Sequence, residues 1–508
     1  MSATLLFSFV IGYFVVLLVV AYFTSRNSNN DSFFIGNRNS NWMLVAFGMI
    51  GTSLSGVTFV SVPGTVGGAG FAYFQVVIGY FIGYLLIAFI LLPLYYKLHL
   101  TSIYHYLHQR FGVVSYKTGA LFFIISRTLG ATARLYLVIN VLQIFILDQL
   151  GVSFAATTFV ILLMILLYTF EGGVKTIVFT DTLQTSFMLL GLVVSIIYIM
   201  QQSGDGLGAV MGELNDKGLS RIFNTDYNSS SFFLKHILGG AFITVAMTGL
   251  DQEMMQKNIS VKNLKDSQKN MMSFTVIMTI VNFLFLLLGG LLYLFAAKNN
   301  IDVPADDLFP TIALSFMPTW VAIIFIIGLI SALFPSADGA LTALTSSFCI
   351  DILGLKRKDA WDEKKKKRVR LTVHFIFAFL FFMLVLGFKY MDNKSIIDVI
   401  LKVAGFTYGP LLGLFAFGIL TRRVIVDRYA LVVCLFAPLL ILGIDFINNV
   451  DWYVKQLNLS GGWLTDMRGF SSSFFGSFRI GYELLIYNGI VTFIGLYFIS
   501  KKPAVHQG

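Results

Sequence analysis

The segment from residue 168 to residue 184, YTFEGGVKTIVFTDTLQ, places the carboxylate of Asp181 in a largely apolar stretch. Thr180 precedes this acid, and Gln184 follows it by one helical turn. A charge at the centre of a bilayer costs at least ~2.5 kcal/mol on insertion scales, and acids at that depth typically bind an ion or a proton. We therefore expect Asp181 to bind a cation. The alternative is a purely structural acid that neighbouring hydroxyl groups satisfy.

A second polar run, SALFPSADGALTALTSS from Ser331 to Ser347, interrupts another apolar stretch. Polar or helix-bending residues recur in it at helical spacing, namely Ser331, Pro335, Asp338, Thr342 and Thr345. Pro335 has no N–H to donate to the carbonyl of Ser331, which leaves that oxygen available to a cation. The alternative is a simple kink in which a neighbouring hydroxyl group bonds to the same carbonyl.

Arg127 and Arg134 lie seven residues apart in SRTLGATARLYLVIN, and so both fall roughly on one face of a helix. A buried guanidinium needs an anion, and Arg can bind a carboxylate through two parallel hydrogen bonds. That anion is either the carboxylate of a solute or a protein acid such as Glu171 or Asp181. The two arginines therefore favour an anionic solute without excluding ion pairs within the protein.

Further polar side chains in apolar segments are candidates for reading the hydroxyl or amide groups of a small solute. They are Thr52, Ser55, Thr58, Tyr73, Gln75, Thr407 and Tyr408. Asp398 and Lys402, four residues apart, are expected to form only a local ion pair.

The composition indicates an all-α polytopic membrane protein. Of the 508 residues, 57% are hydrophobic and 12% are charged, and the mean hydropathy is +0.80. Apolar runs of about twenty residues, long enough to cross ~30 Å of hydrocarbon, recur along the whole chain. We predict one transmembrane domain over 1–508 with thirteen spans: 3–23, 42–63, 73–96, 118–147, 154–171, 175–200, 233–252, 271–297, 320–352, 371–389, 395–420, 429–447 and 481–500.

The distribution of basic residues predicts the orientation. The loop from Lys356 to Arg370 holds nine basic and three acidic residues, which is typical of a cytoplasmic segment. The N-terminus is then outside and the C-terminus cytoplasmic, in the plasma (inner) membrane. We attribute the net charge of +10 to this topology and to contact with anionic membrane lipid, and we expect no nucleic-acid partner. Cys349 and Cys434 fall in predicted spans and indicate neither a disulfide framework nor a zinc site.

Two apolar spans at matching places are interrupted by small and polar residues. The second span contains Gly48, Gly51, Ser53, Ser55 and Gly56, and the seventh contains Gly239, Gly240, Thr244, Thr248 and Gly249. Such a pair is typical of transporters built from two inverted repeats, here 42–200 and 233–420, with broken helices that line a central site. The spans at 3–23 and 429–500 are then accessory. The alternative is close helix packing through small residues.

The order of these motifs resembles the sodium/solute symporter family over nearly the whole chain. The similar stretches are Phe33–Gly64; the Y-T-x-x-G-G and T-D-x-x-Q motifs at Tyr168, Thr169, Gly172, Gly173, Thr180, Asp181 and Gln184; D-Q-x-x-x-Q at Asp251, Gln252 and Gln256; the Ser/Thr-rich ninth span that ends in CIDIL; and Gly409–Arg423. The resemblance implies a leucine-transporter-like fold, with a 5+5 inverted-repeat core in spans 2–11 and with sodium as the coupling ion.

The resemblance also implies a sodium site between the broken first core helix and the eighth core helix. Its ligands on this chain would be the carbonyls of Gly51, Leu54 and Ala332 and the side chains at 335 and 336. Here the expected pair of serines is Pro335 followed by Ser336, so one hydroxyl group is missing. We expect Asp338, with Ser331 and Asp181, to supply a modified or second sodium site. Two carboxylates near one cavity can instead share a proton, so proton coupling through Asp181 and Asp338 is an alternative.

We therefore predict a secondary active transporter, and no enzyme, that carries a small organic solute with sodium by alternating access. The arginines favour an organic anion such as a monocarboxylate or a sialic acid, and the alternative is a neutral sugar or amino acid. A channel is disfavoured because the polar residues cluster at mid-depth instead of lining a continuous path. No catalytic triad, phosphate-binding loop or obligate protein partner is indicated.

Overall fold

The computed structural model describes residues 3–25, 40–100, 102–355, 360–390, 396–457 and 459–502, without the side chains of 3, 25, 170–176, 396 and 397. These residues are mostly helical because long apolar runs in lipid must satisfy their backbone groups internally. The α-helices are α1 (Ala3–Ser25), α2 (Trp42–Ser53), α3 (Gly56–Ala69), α4 (Tyr73–Leu86), α5 (Leu92–Lys97), α6 (His105–Arg110), α7 (Val113–Leu142), α8 (Phe154–Ser203), α9 (Leu207–Asp216), α10 (Phe233–Thr244), α11 (Gln252–Ile259), α12 (Leu264–Lys298), α13 (Ala305–Thr311), α14 (Thr319–Ser347), α15 (Glu363–Lys389), α16 (Ile396–Thr407), α17 (Gly409–Leu420), α18 (Ala430–Asn448), α19 (Val450–Leu457), α20 (Trp463–Phe475) and α21 (Leu484–Phe498).

Short irregular turns extend several of these helices. Turns of π-helix follow α4, α7, α10, α13 and α14, at Ile87–Leu91, Gln143–Leu147, Val245–Gly249, Ile312–Phe316 and Phe348–Ile352. Turns of 3-10 helix lie at Gly70–Ala72, Asp148–Leu150 and Asp427–Tyr429. Two strands of two residues each, β1 (Val424–Ile425) and β2 (Ser500–Lys501), pair antiparallel with Val424 opposite Lys501.

Within the described residues, eight helices are long and apolar enough to cross a membrane, and ten are if each of two bent pairs counts as one span. Three of the predicted spans fall on shorter apolar helices, Trp42–Ser53, Phe154–Thr169 and Leu484–Phe498. A mostly helical, multi-pass membrane protein is confirmed, and the number thirteen stays a prediction.

The helix α8 contains both the fifth and the sixth predicted span. Its two apolar parts are Phe154–Thr169 and Ile177–Ser203. Ile161 lines an apolar cavity together with Val10 of α1, and Phe187 contacts Tyr13, one turn further along α1, at 5.7 Å between ring centroids. A straight helix would separate Ile161 from Phe187 by about 39 Å, so the two parts count as two spans.

The two spans that we expected to be interrupted are both broken. Between α2 and α3, Leu54 (φ −82°, ψ 94°) and Ser55 (φ −92°, ψ 178°) leave the helical conformation. Between α10 and α11 the axis bends by 66°. The predicted end of this span at residue 252 is wrong, because α11 continues to Ile259 and every residue of it is buried. A third break, of 46° between α16 and α17, was not predicted.

The helix α14 forms the centre of the bundle. Every residue from Gly328 to Ser347 is buried, and the helix continues through Pro335. It packs against α1, α7, α8, α11, α15 and both halves of the broken helix α2/α3. Its polar stripe therefore faces protein on all sides, as a polar surface at membrane depth must.

Close packing of α4 against α10 gives a test of the fold. A methyl group on Gly79 would lie 2.9 Å from the Cα of Gly240 and 2.8 Å from the backbone nitrogen of Ala241. Gly79→Ala is therefore expected to lower the free energy of unfolding by about 1–3 kcal/mol through overpacking, seen as a lower thermal midpoint in detergent. The control is Gly443→Ala in α18, where the new methyl group meets no atom within 4 Å. Equal midpoints for the two variants would contradict this packing.

Candidate functional site

A cavity of about 100 Å³ lies beside the break between α2 and α3. It is bounded by these two helices and by α4, α7, α10, α12 and α16. The predicted residues that line it are Thr52, Ser55, Thr58, Tyr73, Arg127 and Arg134. The structure adds Ser53, Tyr80, Tyr84, Thr244, Thr248 and Asn282 to these polar groups. The break thus does bring hydroxyl groups and both predicted arginines to one hollow.

Arg134 is the cation that this cavity leaves unpaired. It is half-buried and makes no hydrogen bond or ion pair among the described residues. Its aromatic neighbours Tyr73 and Tyr80 bond to each other, with 3.1 Å between their hydroxyl oxygens. A guanidinium in a hollow of hydroxyl and apolar groups is suited to bind a carboxylate from a ligand.

Three of the predicted solute ligands do not line this cavity. The amide of Gln75 donates to the carbonyl of Ala72 at 2.9 Å and accepts from the backbone N–H of Asn224 at 3.2 Å. The hydroxyl of Thr407 donates to the carbonyl of Val403 at 2.8 Å, within its own helix. Tyr408 lies at the break between α16 and α17 and donates to Asp251 at 3.2 Å. Their polar groups are therefore taken up by protein partners.

Six buried charged residues adjoin the cavity and are called the charge cluster below: Arg127, Asp181, Asp251, Glu253, Lys257 and Asp338. None is more than 4% exposed. They come from α7, α8, α11, α14 and the break before α11, so the cluster forms only when these elements pack together.

Lys257 of α11 contacts Asp181. Its ammonium group lies 2.7 Å from Oδ2 of Asp181 and 2.5 Å from the hydroxyl of Thr52, which itself donates to Asp181 at 3.1 Å. Asp181 therefore does face a cation, but the cation in this structure is a protein side chain. Oδ1 of Asp181 and both polar atoms of Gln184, one turn later, are buried without a hydrogen-bond partner among the described residues.

Arg127 pairs with Glu253 of α11. Its Nη2 bonds to Oε2 of Glu253, and its Nε lies 3.8 Å from Asp251. Asp181 is thus not the partner that Arg127 takes, and the side chain of Glu171 lies outside the described residues. Arg127 and Arg134 are equivalent in the sequence pattern, but only Arg127 forms an ion pair, because the carboxylate of Glu253 contacts it and not Arg134.

Asp338 of α14 accepts a hydrogen bond of 2.6 Å from the hydroxyl of Tyr168. It also interacts electrostatically with Asp181, Glu253 and Lys257. The adjacent Gly339 packs directly against the carboxylate of Glu253, and a Cβ at this position would overlap it. Asp338 therefore adds one carboxylate to this region, and Gly339 makes room for that of Glu253.

The charge cluster holds four carboxylates and two cationic side chains. If all six are ionised, the formal charge is −2 in a region without access to bulk water. Burying uncompensated charge costs several kcal/mol per ion, and a cation placed in this region would reduce that cost. No trio of His, Cys, Asp or Glu is arranged to hold a metal ion in the part of the chain that the structure describes. A sodium ion here must also use hydroxyl, amide and carbonyl oxygens.

The residues that the resemblance implied for sodium lie on α14 and on α2 and its break. The break at Leu54 removes the donors that a continuing helix would offer to the carbonyls of Gly51 and Leu54. Ala332 and Ser336 are buried on α14, where the hydroxyl of Ser336 donates to the carbonyl of Leu333 at 2.8 Å. The hydroxyl of Ser331 donates to Tyr13 at 2.7 Å, which leaves its carbonyl, freed by Pro335, as the available oxygen.

Sequence analysis missed Glu253 and Lys257. Both lie beyond residue 252, the predicted end of the seventh span. A signal was present, because Glu253 lies inside the D-Q-x-x-x-Q stretch and Lys257 follows that stretch directly, four residues after Glu253 and on the same helical face. Lys402 was also assigned incorrectly: it pairs with Asp445 at 2.8 Å, and Asp398 accepts from Tyr482 at 2.8 Å.

Comparisons with known proteins agree on one class. Residues 33–432 match the sequence model of the sodium:solute symporter family. A sodium/sialic acid symporter of Proteus mirabilis is 23% identical over 434 residues, which cover 81% of this chain and 84% of that protein. One of Aliivibrio fischeri is 24% identical over 420 residues, 80% of this chain and 81% of the relative. A solved Na⁺-coupled sialic acid symporter, substrate-bound and outward-open, superposes with a TM-score of 0.80 at 18% identity, over 98% of this chain and 99% of that one, which shows a common fold.

Proposed function

The chain belongs to the sodium:solute symporter family, and from this premise we propose that it carries a small organic anion together with sodium by alternating access. The observation that carries the choice of an anion is the unpaired guanidinium of Arg134 in the cavity beside the broken helix. A neutral solute would leave this charge without a partner inside the membrane, which is costly.

The cavity is suited to a sugar acid or a hydroxylated monocarboxylate. Arg134 would bind the carboxylate, while Ser55, Thr58 and Asn282 offer hydrogen bonds to hydroxyl or amide groups. Sodium/sialic acid symporters are among the relatives of similar length. These two facts support a sialic acid as the first solute to test.

The size of the cavity supports alternating access. About 100 Å³ is less than the 300–1,000 Å³ that ligand pockets typically have, so the hollow must widen to admit a sugar acid. A larger cavity of about 460 Å³ shares Tyr73 with it and extends past Trp452 and Asp306. A solute would enter through this outer cavity, and the breaks at Leu54 and Leu250 would act as hinges.

Sodium would bind to the carbonyls of Gly51, Leu54 and Ala332 and to Ser336. The buried oxygens without partners, Oδ1 of Asp181 and Oε1 of Gln184, support a second cation position at the charge cluster. One sodium ion with a monovalent anion is electroneutral and gains nothing from the membrane potential. With a second sodium ion, transport gains ~2.3 kcal/mol per 100 mV.

We also propose the finer architecture from these observations. Thirteen spans in the plasma (inner) membrane would contain two inverted repeats, 42–200 and 233–420, each beginning with a broken helix, with 3–23 and 429–500 accessory. The N-terminus would lie outside and the C-terminus inside, which the basic loop around 364–368 supports.

Uptake into proteoliposomes tests the function. Radiolabelled sialic acid, lactate, glucose and leucine are offered with an inward sodium gradient, with equal sodium on both sides, and with a proton gradient alone. Saturable accumulation of an organic acid that needs the sodium gradient is the expected result. Accumulation of glucose or leucine, with no acid transported, would overturn the choice of an anion.

The proton-gradient arm addresses the second candidate, proton-coupled symport. One observation favours it: the ammonium of Lys257 already contacts Asp181, the carboxylate that would otherwise bind a sodium ion. Accumulation driven by protons without sodium would establish this alternative and remove sodium as the coupling ion.

Asp338→Asn tests the role of the added carboxylate. We expect the half-saturating sodium concentration for uptake to rise at least about fivefold, because one charge of the cluster that attracts sodium is lost. Tyr168→Phe is the control, since it removes the 2.6 Å hydrogen bond but keeps the carboxylate, and a change of about twofold or less is expected. Unchanged sodium dependence in Asp338→Asn would exclude Asp338 from the sodium site.

A further inference from the structure

Glu253 lies between the solute cavity and the cation position. Oε2 bonds to Arg127, which lines the cavity. Oε1 lies 3.5 Å from the ammonium of Lys257, and that ammonium also forms an ion pair with Asp181. The carboxylate is 3% exposed, so these two cations are the charges that it can engage. Position 253 is one of the unspecified places in the D-Q-x-x-x-Q motif, and so no motif assigns it a role.

The two cations compete for one carboxylate. A sodium ion that binds at Asp181 and Asp338 repels Lys257 and weakens its contact with Asp181. Lys257 then shifts toward Glu253, its other acid, only 3.5 Å away. The hold of Glu253 on Arg127 weakens in turn, and the cavity becomes more positive. At short range in a region of low dielectric, such charge effects are large.

We propose that Glu253 is a positioning residue that couples sodium binding to anion binding, because its two oxygens hold one cation of the solute cavity and one cation of the sodium site. This inference rests on the proposed sodium-coupled transport of an anion. It explains why the chain has Gly339 on α14, since a side chain there would displace the carboxylate of Glu253.

Thr52 offers a second connection, since it lines the cavity and bonds to Lys257 and Asp181. It carries no charge and lies on the sodium side of Lys257. It can therefore transmit a change of position but cannot alter the charge at the arginines. Glu253, in contrast, is a charged group that contacts one cation of the solute cavity and one cation of the sodium site.

Coupling is measured as a ratio of affinities. The purified full-length protein is titrated with radioactive sodium in the presence and absence of saturating sialic acid. In the wild type, the solute is expected to strengthen sodium binding at least about tenfold, and sodium to strengthen solute binding by the same factor. In Glu253→Gln this ratio is expected to fall below about twofold, while sodium without solute still binds, with an affinity lowered about fivefold because the cluster has lost one charge.

A second variant reaches the same carboxylate from α14 without changing any charge. Gly339→Ala inserts a methyl group against Glu253 and is expected to lower the ratio in the same way. Gly387→Ala is the matched control, because its methyl group meets no atom within 4 Å. Asp445→Asn removes a buried, paired carboxylate elsewhere in the fold and controls for the loss of such a charge.

The outcomes separate the inference from the function. A wild-type ratio of at least ten that persists in Glu253→Gln, or in Gly339→Ala if the first variant does not fold, overturns the role of Glu253 and leaves the symporter intact. A wild type that binds neither sodium nor any organic acid overturns the proposed function itself. Loss of the ratio in both variants, with both controls unchanged, supports the coupling role.

Discussion

Replacement of Arg134 by glutamine is expected to lower the initial rate of sialic acid uptake at low concentration by at least about 100-fold. The guanidinium is the only cation of the cavity without a protein partner in the described part of the chain, so its loss removes a charge-assisted contact to the solute. Truncating one partner of a buried charge pair costs about 2–5 kcal/mol, and a 100-fold loss corresponds to about 2.7 kcal/mol, which lies within this range.

The stability of Arg134→Gln should be close to that of the wild type, because no ion pair is broken. Arg127→Gln is the contrasting variant: it leaves Asp251 without its cation and Glu253 with only the more distant Lys257, and it is expected to lower the thermal midpoint. Arg134→Lys keeps the charge but cannot form two parallel hydrogen bonds, so an intermediate rate is expected. Normal uptake by Arg134→Gln would show that the anion binds elsewhere.

The pair formed by Lys257 and Asp181 should behave as a unit. Asp181→Asn is expected to lower the free energy of unfolding by about 3–5 kcal/mol, because the ammonium 2.7 Å away is left buried with only the more distant Glu253. Lys257→Met should cost a similar amount, since Asp181 then loses its cation. The double variant removes both charges, and we expect it to recover at least half of the lost stability.

Sodium-driven uptake by the double variant distinguishes the structural role of Asp181 from its proposed role as a cation ligand. The double variant is expected to fold but to lack sodium dependence, because Asp181 is also a proposed cation ligand. The control is the exposed pair of Lys217 and Glu213, at 2.8 Å, where Glu213→Gln should change stability by less than about 1 kcal/mol. If the two single effects simply add in the double variant, Lys257 and Asp181 are not energetically coupled.

Much of the fold could be predicted from local signals. Apolar runs of spanning length are visible in any single stretch, and the clusters of Gly, Ser and Thr near Leu54 and Leu250 marked two of the breaks. The acids Asp181 and Asp338 were evident because a charge is rare in an apolar run. Each of these features depends on a few neighbouring residues.

The partners of those acids could not be predicted in the same way. Lys257 and Glu253 look like loop residues until the 66° bend folds α11 into the bundle, and such a bend depends on packing between distant segments. The difference between Arg127 and Arg134 has the same origin, because only α11 decides which of them is neutralised. Gln75 and Thr407 have a structural role instead of a solute-binding one, because their side chains donate hydrogen bonds to nearby backbone carbonyls.

The formal charge of −2 in the charge cluster bears on the return of the empty carrier. With its cations released, the protein must move these acids through the closed state without compensation, and that intermediate is high in free energy. With sodium bound, the negative charge of the cluster is neutralised, and the same movement costs less free energy. The imbalance would therefore slow the return of the empty carrier, and we expect this reset step, after solute and sodium have left, to limit the rate of turnover.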